Sequence, residues 1–130
     1  MMGQKLLAGL LISCVVFGSH AAWAADLETS MKTLAKSTKA FAEAKDAVNA
    51  KQQLVVMREA AVSSKQYLPH KLEGLPSGNV QVKEYHSGLD QLVAEIDKVT
   101  ALVEHGQLDQ AKTEAMNLVK IRNENHKKFR

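Results

Sequence analysis

The chain contains 130 residues, with 17 lysines and arginines against 14 aspartates and glutamates and a formal net charge of +3. So small and dispersed a positive balance argues against nucleic acid as a partner, and the length suits one small domain. The single cysteine, Cys14, excludes an intramolecular disulfide, so packing or a bound group must stabilise the fold.

The first 24 residues have the pattern of a secretory signal peptide. A short basic start with Lys5 precedes an apolar run too short to span a bilayer, and Ala22 and Ala24 form a small-x-small cleavage signal. We predict export to the periplasm, cleavage after Ala24, and a mature domain of residues 25–130 without membrane insertion. A buried first helix or a membrane anchor is the alternative. A lipid anchor on Cys14 is rejected because the apolar run continues beyond it.

Four amphipathic helices are predicted in the mature chain, because apolar residues recur at steps of three and four. The first covers about 27–43, with Asp26 as a cap, and the second about 46–65. The third covers about 80–103, and the fourth begins after Gly106. No segment alternates with a period of two for long, so strands are not expected.

The links between these helices predict the topology. Both prolines, Pro69 and Pro76, lie with Gly74 and Gly78 in one long loop. The other links are short, so neighbouring helices should be antiparallel. We therefore predict an all-α, antiparallel up-down-up-down four-helix bundle, which we expect to be monomeric.

A histidine close to the end of the chain falls on the predicted inner face of the fourth helix. A regular helix places these residues within one arc about 100° wide: Leu108, Ala111, Ala115, Leu118, Val119, Arg122, His126 and Phe129. Met31 lies on the inner face of the first helix. Four antiparallel helices bring the two chain ends together, and Met31 and His126 then lie roughly 7 to 9 Å from the same end of the bundle.

A thioether and an imidazole that converge across a bundle match the axial ligands of haem iron in Met/His cytochromes. The positions alone leave a second interpretation open, a plain bundle in which Met31 and His126 are ordinary residues of the inner face. Covalent haem attachment is excluded because no C-x-x-C-H motif occurs. No glutamate lies three residues before a histidine of the mature chain, as di-iron bundles require. The remaining histidines, His70, His86 and His105, are expected near the surface.

Several short motifs are spread along the mature chain. They are "ADLE" followed by Met31, Met57-Arg58, "KLE" at 71–73, Gly88 and Asp90, Ile96-Asp97, Gly106, and "RN" at 122–123 followed by His126, Lys128 and Arg130. In this register, residues 25–130 resemble the soluble periplasmic cytochrome b562 family from end to end.

The resemblance implies one non-covalent b-type haem per chain. Five residues are implied as its contacts: Met31, His126, Arg122, Tyr85 and Leu89. Met31 and His126 correspond to the two axial ligands, and Arg122 corresponds to an arginine beside the haem. Tyr85 and Leu89 occupy aromatic wall positions, so Leu89 departs from the pattern, as does Asn125 where the family has a tyrosine. A lost ring removes apolar contact area, which affects haem affinity and potential more than ligation.

Two functions from different classes follow. The first is a periplasmic electron carrier with unidentified redox partners. It is not expected to be an enzyme, because Met31 and His126 would leave no open coordination site on the iron. The second is a haem-free periplasmic bundle that acts as a binding or chaperone-like module.

Overall fold

The computed structural model describes residues 27–129, so the predicted signal peptide, the cleavage site and the Asp26 cap lie outside the described residues. The order of helices is α1 Leu27–Glu43, α2 Ala47–Ser64, a short 3-10 helix His70–Leu72, α3 Val80–Glu104, α4 Leu108–Glu114 and α5 Met116–Phe129. Helices α4 and α5 together form the predicted fourth helix, and no strand occurs in the described part. The prediction of an all-α four-helix bundle is confirmed. Within the same residues, no helix is both long and apolar enough to cross a membrane.

The helix boundaries follow from capping side chains and one glycine. The Asp46 carboxylate accepts the backbone N–H of Asn49 at 2.8 Å and begins α2, so Asp46 is the cap rather than the first helical residue. Asn79 begins α3 in the same way. Gly106 follows the end of α3 with a φ of 74°, a left-handed conformation that glycine adopts without steric penalty.

A ladder of three ion pairs shows that α2 and α3 are antiparallel. Each step along α2 advances by seven residues while its partner on α3 moves back by seven: Lys51–Glu104, Arg58–Asp97 and Lys65–Asp90. Exposed pairs of this kind contribute little to stability individually. Their register confirms that these two helices run in opposite directions.

Two apolar clusters fill the bundle. The larger one runs along the four helices and contains Phe41, Leu54, Met57, Ile96, Val99 and Leu118 among its buried members. The smaller one lies under the long loop and contains Leu72, Val82, Tyr85, Leu89 and Phe129. Leu72 of the 3-10 helix is 1% exposed, so it fixes this loop to the bundle.

The break between α4 and α5 corrects the predicted inner face of the fourth helix. At the break the Leu118 N–H bonds the Ala115 carbonyl three residues back, at 3.0 Å, instead of four. A 3-10 turn has fewer residues per turn, so it advances all later residues around the helix axis. Ile121 turns inward and is buried, whereas Val119 and His126, both predicted on the buried face, are exposed.

Two carboxyl groups meet at this break. Glu114, at the end of α4, hydrogen-bonds Glu95 of α3, and Asn117 and Lys98 contact the same Glu114 Oε2 at 2.9 and 3.3 Å. Hydrogen bonds from these neighbours lower the pKa of Glu114. Burial, followed by the contact with Glu114, raises the pKa of Glu95, and its Oε2 is buried without a hydrogen-bond partner. Glu95 therefore binds a proton more readily than Glu114.

We expect Glu95→Gln to change the pH dependence of stability. A raised pKa in the folded state means that Glu95 stabilises the fold at low pH and that this contribution is lost as pH rises through the raised pKa. The free energy of unfolding of the variant should equal that of the parent near about pH 4 and exceed it near about pH 8. Thermal unfolding across this range, with the exposed Glu84→Gln as control, measures the effect. A difference in stability between variant and parent that does not change with pH would contradict the raised pKa of Glu95.

Candidate cofactor site

A cavity of about 420 Å³ opens at the end of the bundle where α1 and α3 begin and α5 ends. Its lining residues are Leu27, Met31, Leu34, Pro69, Tyr85, Gly88, Leu89, Leu92, Ile121, Arg122, Asn125, His126 and Phe129. Most of them are apolar, and the volume lies in the range of small-molecule and cofactor sites. This is the candidate functional site.

The cavity exists because α1 and α5 stand apart. Successive helices pack closely along the bundle, whereas α1 and α5 make few close backbone approaches. A second, much smaller cavity of about 20 Å³ is lined by Thr38 of α1 and Arg122 of α5 and reaches Met57 and Leu92 in the core. The open seam leaves room for a flat group between the first and last helices.

All five residues predicted to contact a cofactor line this cavity: Met31, Tyr85, Leu89, Arg122 and His126. Met31 is half-buried on α1, and Tyr85 and Leu89 are buried on α3. Arg122 is half-buried and His126 exposed, because the turn at Ala115 directs both toward the seam with α1 rather than into the core. The structure thus brings the five together, while ligation by Met31 and His126 stays a prediction.

Tyr85 is held in the cavity wall at both ends of its side chain. Its hydroxyl donates to the backbone carbonyl of Ser64, the last residue of α2, at 2.9 Å. Its ring meets Phe129 edge-on with 5.6 Å between centroids. Burial raises the pKa of Tyr85 to about 12, so the hydroxyl keeps its proton and remains a donor. The wall of the cavity is therefore tied to the end of α2.

Tyr85→Phe is expected to destabilise the protein by about 0.5 to 1.5 kcal/mol, because the Ser64 carbonyl would lose the Tyr85 hydroxyl and keep only the longer bond from the Tyr67 backbone N–H, at 3.3 Å. For a domain of this size that corresponds to a fall in Tm of at least about 2 °C. Calorimetry of the two proteins measures it. Ser87→Ala, which removes an exposed hydroxyl from the same helix, serves as the control. An unchanged Tm in Tyr85→Phe would show that the bond contributes nothing.

Several lining residues were not predicted as contacts. Pro69 reaches the cavity from the long loop, whose path the sequence pattern does not specify. Gly88 allows α3 and α5 to approach closely, since a methyl group at this position would overlap the Asn125 carboxamide. Asn125 itself donates to the Ile121 carbonyl at 2.9 Å. The sequence held a signal for these two, because Gly88 is one of the matching positions and Asn125 precedes His126.

The chemistry of the lining fits an iron macrocycle. Met31 offers a soft thioether and His126 an imidazole, a donor pair that haem iron accepts on opposite faces. The apolar walls suit the ring of such a group, and the Arg122 guanidinium suits its carboxylates. The chemical types of the lining side chains therefore fit a haem.

Comparison with known proteins agrees with this fit. The sequence model of the cytochrome b562 family matches residues 26–130. A Yersinia pestis protein described as probable soluble cytochrome b562 2 is 34% identical over 129 residues, which cover 99% of this chain and 100% of the relative. A second Yersinia pestis protein, described as probable soluble cytochrome b562 1, is 30% identical over 108 residues, 83% of this chain and 85% of the relative.

An uncharacterised protein of Pasteurella multocida is 27% identical over 127 residues, 98% of this chain and 99% of its own length. The family match extends over the whole described bundle and includes every residue that lines the cavity. The four-helix fold, the cavity and these similarities together show that the chain belongs to the cytochrome b562 family.

Proposed function

We propose that this protein is a monomeric periplasmic electron carrier that binds one non-covalent b-type haem through Met31 and His126. The observation that carries the proposal is that one cavity contains all five residues that the sequence indicated as haem contacts. Membership of the cytochrome b562 family supports it further. The periplasmic location rests on the signal peptide predicted at residues 1–24, and the redox partners are unidentified.

The two proposed ligands come from opposite sides of the open seam. Met31 lies on α1 and His126 on α5, so the two side chains would hold the iron of a haem between the first and last helices. Bound haem would supply an iron that takes up and releases one electron. Because two protein side chains would bind the iron, no position is left for a substrate, and we do not expect an enzyme.

The remaining lining residues hold the group and exclude water. Tyr85, Leu89 and Leu92 form an apolar wall on α3. A low-polarity wall strengthens the interaction of a charged iron with its ligands. Arg122 is the cation of the lining and would pair with haem carboxylates, while no thioether link is available because the mature chain lacks cysteine.

Replacing Met31 tests the proposal. Met31→Leu keeps an apolar side chain of similar volume but removes the sulfur, so we expect iron with one protein ligand and a potential lower by on the order of 100 mV, within the roughly 0.8 V that axial ligands span. Met31→His should keep two ligands and still lower the potential, because the thioether favours reduced iron. Absorption spectra and redox titrations of the haem-loaded proteins measure both changes.

Met116 provides a matched control, because it is a methionine 71% exposed outside the cavity. Met116→Leu should leave the spectrum and the potential unchanged. The haem-free module makes a different prediction, in which the parent takes up no haem at all. Equal spectra and potentials in Met31→Leu and the parent would show that Met31 is not a ligand.

A further inference from the structure

Positive charge collects at the cavity end of the bundle. We define the basic end patch as Lys71, Lys83, Arg122, Lys127 and Lys128. Lys71 lies in the 3-10 helix, Lys83 near the start of α3, and the other three on the last turns of α5. The four lysines are exposed, and none forms an ion pair with an acidic residue of residues 27–129.

The excess charge is specific to this end. Three further cations there are paired: Lys32–Glu28, Lys65–Asp90 and His70–Glu73. Among residues 27–129, the exposed acids Glu84 and Glu124 lie next to the basic end patch and offset part of its charge. The far end is balanced, since Lys39 and Lys45 lie among Glu43, Asp46 and Asp109. The two ends of the molecule therefore present different charge to a partner.

Helix stability explains only part of the patch. Lys127 and Lys128 lie in the last turn of α5, where a cation interacts favourably with the helix dipole. Lys83 is the fourth residue of α3, close to the positive end of that dipole, and no acidic residue lies in the first turn. A lysine there is unfavourable for the helix. Its position agrees with a role in attracting an anionic surface.

We infer that the basic end patch docks an acidic protein that exchanges electrons with the cofactor, an inference that rests on the proposed electron-transfer function. His126 is exposed at the same end, so a protein bound there would lie against the proposed ligand of the iron. Val80 is 69% exposed one turn before Lys83 and offers a small apolar contact beside the charges. The partner therefore carries carboxylates around a small apolar centre, as in weak, salt-sensitive electron-transfer encounters.

Binding of poly-L-glutamate, measured by calorimetry at low ionic strength, tests the docking surface without depending on haem. The test variant is Lys71→Glu with Lys83→Glu, and the control is Lys39→Glu with Lys45→Glu at the far end. Both change the net charge equally, and none of the four residues lines the cavity. Circular dichroism verifies that both variants fold. We expect the test variant to lose at least about tenfold in affinity, the control less than about threefold, and all binding to disappear near about 0.5 M salt.

Equal losses in the two variants would overturn the inference, because only net charge would then matter. A second experiment measures binding of the same proteins to phosphatidylglycerol vesicles by flotation. Patch-dependent binding to vesicles but not to poly-L-glutamate would overturn it in favour of a membrane surface. With haem loaded and reduced, the protein gives one electron to hexacyanoferrate(III). The rate of this reaction should be lower in the test variant and unchanged in the control. Failure to take up haem would contradict the proposed function, whereas the apoprotein binding data would still report on the patch.

Discussion

His126→Ala is expected to abolish stable haem binding, with an affinity loss of more than roughly 100-fold, because even partners that only orient a metal ligand change affinity by 10- to 100-fold. The substitution removes the proposed nitrogen ligand from α5 and leaves only the weaker thioether of Met31. His126 is exposed and lies at the rim of the cavity, so the bundle itself should remain folded. Titration with haemin, followed by the Soret band, gives the affinity.

Two further measurements distinguish loss of an iron ligand from loss of packing. Free imidazole should restore part of the six-coordinate spectrum in His126→Ala, since it can occupy the space of the missing ring. His105→Ala is the matched control, because His105 is an exposed histidine at the far end of the bundle. Wild-type affinity in His126→Ala, or an equal loss in His105→Ala, would mean that His126 is not the ligand.

Phe41→Ala is expected to lower the free energy of unfolding by about 3 to 5 kcal/mol. Phe41 is 1% exposed in the larger apolar cluster, and it does not line the cavity. The loss is a large part of the roughly 5 to 15 kcal/mol that stabilise a typical domain, so the apoprotein should be close to unfolding. Urea denaturation followed by circular dichroism measures the change.

Haem should offset part of this loss, because a ligand that binds only the folded state stabilises it. Phe41→Leu, which leaves a smaller cavity, should lose less and remains measurable if the alanine variant does not fold. Ala42 lies beside Phe41 on the exposed face, and Ala42→Ser should stay within about 0.5 kcal/mol of the parent. A loss below about 1 kcal/mol in Phe41→Ala would contradict the description of the core.

The sequence was sufficient to bring Met31 and His126 to one end of the bundle. Helical periodicity defined four helices, short links made neighbours antiparallel, and an even number of helices returned the chain to its starting end. Tyr85 and Leu89 were identified differently, by their match to family positions. The structure brings all of these residues to one cavity.

The sequence pattern did not predict correctly which face of the last helix is buried. Residues 113–118 read "TEAMNL" and contain neither glycine nor proline, so no residue type marks the break at Ala115. Tertiary contacts, which the sequence pattern does not contain, lie at this turn, including the pair of Glu114 with Glu95 on α3. A regular helix placed Val119 and His126 inside, whereas the overwound turn moves both outward.

The cavity was also not predictable from the sequence pattern. It requires α1 and α5 to stand apart and the loop to deliver Pro69 to the rim. Periodicity indicates which face of a helix is buried but gives no spacing between helices. The distance between two packed helices depends on the side chains at their contact.

The most direct test of haem binding is titration of a purified protein of residues 25–130 with haemin, followed by absorption spectra in the oxidised and reduced states. We expect saturation at about one haem per chain and spectra of six-coordinate, low-spin iron in both states. Acid and organic solvent should then extract all of the haem, because residues 25–130 contain no cysteine to hold it covalently. A chain that leaves the haemin spectrum unchanged at every ratio would contradict the central claim.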